Sequence, residues 1–100
     1  MDREVIKEKA LERIKKIHSA SLKYNQKVGK AHNERLLELM RHHIDEIEEL
    51  FKANDRHALV ETGDLAVLCF ELLIENGASI DDILAECFDR YDNKLASLSR

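Results

Sequence analysis

One hundred residues carry 16 Lys and Arg against 20 Asp and Glu, a formal net charge of -4, with no proline, no tryptophan and three glycines. That length bounds the chain to a single domain, 1–100, around one core. The acidic balance argues against nucleic acid as the main partner, because neutralising phosphates needs a basic surface. Few turn-forming residues and only 5% aromatics favour long helices over strands.

The first helix is predicted over about 3–24, with Asp2 as a possible N-cap and Ile6, Ala10, Ile14, Ile17 and Leu22 on one face. Its lysines and arginines ("KEKALERIKKIH") are interrupted by Glu8 and Glu12, as on a salt-bridged helix face. Asn25 and Gly29 punctuate its end. The second helix, about 33–53, carries Leu36, Met40, Ile44, Ile47 and Phe51 at helical spacing. Asn54 can end it and Asp55 can cap the next.

The third helix, about 56–75, is apolar on nearly every side from Leu65 onward. It is therefore expected to be the central helix or to lie in a subunit interface, in a homodimer or a dimer of dimers. Gly77 follows its end, and "SIDD" opens the fourth helix, about 80–96, with Ser79 as cap. That helix shows Ile83, Leu84, Cys87, Phe88, Tyr91 and Leu95 as its apolar positions. No period-two alternation extends over a useful length, so the fold class is all-α, a four-helix bundle.

Cys69 and Cys87 sit among apolar residues without C-x-x-C spacing; they read as buried reduced thiols, with a disulfide as the alternative. The charged N-terminus shows no signal peptide. The longest near-apolar run, Leu65–Ile74, contains Glu71 and is too short to span a bilayer. No membrane association is expected, and the chain reads as cytoplasmic.

The short turn near Asn54–Asp55 makes helices two and three an antiparallel hairpin, so residues equally far from it lie side by side. In one register, Glu46 and Glu49 fall opposite Asp64 and Glu61, each pair at i, i+3. Four converging carboxylates repel one another and stay ionised only with cations. Mg²⁺ suits such oxygens, Mn²⁺ being possible, and keeps positions for phosphate oxygens and water. A second register, counted back from the turn, pairs His43 and Glu46 with Asp64 and Glu61. There His43 replaces one acid, and a softer metal becomes plausible. Adjacent His42 and His43 point about 100° apart and cannot chelate one ion together; both read as surface or boundary histidines. A solvated acidic face is the plainer reading of "DEIEEL". No Gly-rich phosphate loop or nucleophile elbow is present.

Together, "DEIEE" and "ETGDLAVLCFELLIENGASIDDILAECFDRYDNKL" resemble the MazG-like nucleoside triphosphate pyrophosphohydrolases over roughly residues 33–98. This all-α superfamily includes dimeric dUTPases and phosphoribosyl-ATP pyrophosphatase. The resemblance rests on E-E-x-x-E followed by E-x-x-D. Asp45 stands in the first position of the former, and only eleven residues separate Glu49 from Glu61. It implies Mg²⁺ held by Glu46, Glu49, Glu61 and Asp64, with Glu46 or Glu49 orienting or deprotonating the attacking water. The implied reaction cleaves a nucleoside triphosphate between its α and β phosphates. Arg90, Asn93 and Lys94 resemble the family's basic C-terminal end and would contact phosphates; Tyr91 reads as core or as a base-stacking ring. Gly63, inside a helix, suggests close packing beside the site. The rival readings are a non-enzymatic helical interaction module and a relative that binds nucleotides without hydrolysing them.

Overall fold

The computed structural model describes the backbone of residues 3–98 and the side chains of residues 9–98. Asp2 and the side chain of Ile6 lie outside those limits. Four helices follow in order: α1 (Arg3–Lys27), α2 (His32–Lys52), α3 (His57–Glu75) and α4 (Ile80–Leu98). Helix α3 packs against all three others, α2 most extensively, which makes it the central helix.

Local chemistry sets the boundaries. After α2, Asn54 takes a left-handed φ of 54°, and the Asp55 N–H reaches back to the Leu50 carbonyl at 2.9 Å, a Schellman-type closure. The Asp55 carboxylate then accepts from the His57 N–H at 2.9 Å, satisfying one of the free donors at the start of α3. Gly77, at φ 72°, closes α3, and the Ser79 hydroxyl accepts from the Asp82 N–H at 3.3 Å. Helix α1 runs three residues past its expected end, because the chain reverses at Gly29, φ 73°, and not at Asn25. Asn25 is buried within the helix.

The inward faces differ from those expected. On α1 the buried or half-buried positions are Leu11, Ile14, His18, Ser21, Leu22 and Asn25, whereas Ala10 is exposed and Ile17 is 46% exposed. On α2 they are His32, Arg35, Leu36, Leu39, Met40, His43, Glu46, Ile47 and Leu50, while Ile44 and Phe51 are half or more exposed. Both faces follow steps of three and four residues, the repeat of antiparallel bundles, and polar side chains occupy several of those steps. On α4 only Ile83, Leu84 and Cys87 turn clearly inward after Ile80; Phe88, Tyr91 and Leu95 are exposed. Tyr91 is thus not a core residue of this chain. Both cysteines are free and half-buried rather than buried.

Few apolar side chains are deeply enclosed among the described residues: Leu36, Ala58 and Leu68. A Cβ added at Gly63 would meet nothing within 4 Å, so close packing within the chain does not account for this glycine. Among the described residues no helix is long and apolar enough to cross a membrane.

Candidate functional site

The side chain of Glu61 points from the second turn of α3 at α2, where it is 13% exposed. Its Oε2 lies 2.5 Å from His43 Nδ1, and its Oε1 lies 3.3 Å from His57 Nε2, one turn earlier on α3. Glu46, one turn after His43 on α2, turns its carboxyl group toward the same place. One ligand atom each from His43, Glu46 and Glu61 therefore lie within 4.8 Å of one another. The depression in front of them is open to solvent and lined by Asp45, Glu46, Glu49, Leu50, His57 and Glu61.

The Glu61 carboxyl group is held below its ordinary value of 4.5, chiefly by the hydrogen bond from His43. Partial burial opposes this; neighbouring Glu46 and the charges of His43 and His57 reinforce it. Two carboxyl groups with oxygens within 4.8 Å of each other are eased by a proton or a cation between them. Two carboxylates and an imidazole make a donor set that first-row divalent ions accept.

Of the expected site residues, Glu46 and Glu61 converge. His43 joins them, as the second register allows, but it stands beside Glu61 and not opposite Asp64. Glu49 lies on the rim, its side chain 77% exposed and 3.9 Å from Lys52. Asp64 is exposed, one turn beyond Glu61, and does not join the three converging ligands. The helices slide so that Glu61 sits between His43 and Glu46, and not opposite Glu49. Arg90 and Lys94 line a groove of about 440 Å³ with Cys87 and Tyr91. It shares no residue with the acidic depression, and Asn93 does not line it.

His57 was not among the expected site residues. Its signal in the sequence is the i, i+4 spacing to Glu61, which His42 and Glu46 repeat at 3.0 Å on α2. His42 itself is a surface residue, with a side chain 68% exposed.

Searches of family models, of curated proteins and of solved structures find no match to this chain.

Proposed function

We propose that the chain is a metal-dependent phosphoanhydride hydrolase of MazG type, acting on a nucleoside triphosphate to release pyrophosphate. The observation that carries this reading is the convergence of His43, Glu46 and Glu61 across the α2–α3 hairpin. The donor set fits a divalent cation, and its imidazole suits Mn²⁺ better than Mg²⁺. Glu46 and Glu61 would hold the ion with His43, and Asp64 stands one turn away on the same helix. Such an ion supplies positive charge to phosphate oxygens and Lewis acidity at the reacting phosphorus.

The chain's own residues have distinct tasks. His43 and His57 flank the two oxygens of Glu61 and keep that carboxylate ionised and oriented. Glu49, exposed on the rim, is free to accept a proton from an attacking water. Arg90, Asn93 and Lys94 offer phosphate contacts from α4, although the groove that Arg90 and Lys94 line is separate, so a substrate must bridge the two regions or meet them on a second copy.

A second copy belongs to this reading. Exposed Leu37, Ile44 and Phe51 recur every seven residues on α2, and exposed Phe88, Tyr91 and Leu98 form a stripe on α4. Two such stripes on one small chain favour a homodimer or a dimer of dimers. His43 in place of an acid also favours a second reading, a protein that binds nucleotides without hydrolysing them.

The test is pyrophosphate release from a panel of nucleoside triphosphates with Mg²⁺, with Mn²⁺ and with chelator. Release is expected only with metal, greater with Mn²⁺, and abolished in Glu61→Gln while the helical circular dichroism persists. Full activity in Glu61→Gln or in chelator overturns the proposal; nucleotide binding without release selects the second reading.

A further inference from the structure

A second polar cluster lies at the other end of the bundle, about 15 Å along α3 from Glu61 by helical rise. It brings together His18 from α1, His32 from the first residue of α2, and Glu71 and Glu75 from α3. His18, His32 and Glu71 are 9%, 8% and 3% exposed, and one ligand atom from each lies within 4.8 Å of the others. Glu75 Oε2 is 3.2 Å from His18 Nε2 and 3.8 Å from His32 Nε2. The two rings meet edge to face, with centroids 5.2 Å apart.

Two of these side chains, Glu71 and His32, also have an outer partner. The Ser21 hydroxyl donates to Glu71 Oε1 at 2.6 Å, and the Asn25 amide is 2.7 Å from His32 Nδ1. Hydrogen bonds of this kind fix ring tautomer and carboxylate orientation around a metal. As placed, the Asn25 Nδ2 group donates to His32 Nδ1; a half-turn of that amide, which exchanges its nitrogen and oxygen, makes Asn25 accept the Nδ1 proton and leaves His32 Nε2 a lone pair for a cation. Two ring nitrogens of the cluster, His18 Nδ1 and His32 Nε2, are buried and have no hydrogen-bond partner. A buried nitrogen left unpaired is costly, and so is a carboxylate as enclosed as Glu71.

We propose that His18, His32, Glu71 and Glu75 form a structural site for a borderline-soft divalent cation, with Zn²⁺ as the fitting ion. Two imidazoles and two carboxylates supply the four ligands and the two negative charges that a tetrahedral Zn²⁺ takes. The enclosure suits a structural ion, since a catalytic one keeps a position open. The ligands come from three helices, so the ion fastens α1 to the α2–α3 hairpin. The site owes nothing to the hydrolase reading, being built from other residues.

The experiment uses the full chain carrying His43→Asn and Glu61→Gln, so that the hairpin site cannot take metal. Zn²⁺ affinity is measured by competition with a chromophoric chelator, stoichiometry by elemental analysis, and melting temperature with and without Zn²⁺. One equivalent bound per chain and a higher melting temperature are expected. His32→Asn or Glu71→Gln should weaken binding by at least about 100-fold, and Asn25→Ala, which removes only an outer partner, by roughly 10-fold. If a ligand variant fails to fold, the Asn25→Ala and Ser21→Ala pair decides. No bound Zn²⁺ in the background variant, which a proton-sharing network would give, overturns the proposal. So does undiminished affinity in the Asn25, Ser21, His32 or Glu71 variants.

Discussion

Replacing Phe88 by glutamate should dissociate the protein without unfolding it, and the expected size follows from exposed surface. The chain has 8055 Å² of accessible area, whereas a compact monomer of 11.6 kDa exposes about 5,800 Å². Its radius of gyration is 16.2 Å, against about 13 Å for a compact domain of this length. The surplus is about 2,200 Å². If association hides about 1,000 Å² on each copy, the total reaches the size of permanent interfaces. Phe88 is 60% exposed in the single chain, so Phe88→Glu changes the isolated fold by no more than about 0.5 kcal/mol. Within an interface, losing a buried aromatic anchor costs about 2–4 kcal/mol, which weakens dimerisation roughly 30- to 1,000-fold. Sedimentation velocity over a hundredfold dilution series, with helicity followed by circular dichroism, reads both effects. A wild-type mass of one chain at every concentration refutes the reasoning. An unchanged association constant in Phe88→Glu refutes the part assigned to α4.

Two further outcomes follow from single residues. Gly63→Ala should stabilise the fold by about 1 kcal/mol, raising the melting temperature by about 4–8 °C, because the new methyl group meets nothing within 4 Å; a fall would show that another molecule packs there. Glu61 titrates below 4.5 when folded, so as pH falls the unfolded chain takes up this proton first. Its contribution is complete above 4.5 and disappears as pH drops through the folded value. In chelator, urea midpoints between about pH 3 and 6 should therefore fall more steeply for wild type than for Glu61→Gln, and parallel curves would contradict the assignment.

The four helices and the central place of α3 were legible because they rest on neighbours in sequence. The hairpin between α2 and α3, and with it the meeting of Glu46 and Glu61, was legible because its turn is short. Glu49 and Asp64 were expected at the centre and stand outside it. A shift of a few residues between antiparallel helices replaces every opposing pair, and both registers fit the turn. The buried polar positions were harder still. His18, Asn25 and His32 look like surface or turn residues when apolar spacing alone is followed. For His18 and Asn25 a signal was available in the steps 11, 14, 18, 21 and 25, where polar residues continue a stripe begun by Leu11 and Ile14.

By itself, then, the sequence determined where the helices begin and end, apart from the end of α1. Asn54, Asp55, Gly77 and Ser79 act through hydrogen bonds to residues a few places away, and such bonds form wherever the chain carries them. Only the tertiary structure decided which residues of each turn face inward. One position on a helix is a rotation of about 100°, and several side chains compete for the same interior. Packing α3 between its neighbours turned His43, Glu46 and Glu61 together at one end and His18, His32 and Glu71 together at the other. It left Ile17, Ile44, Phe51 and Phe88 facing outward, because no intrachain neighbour was placed to cover them.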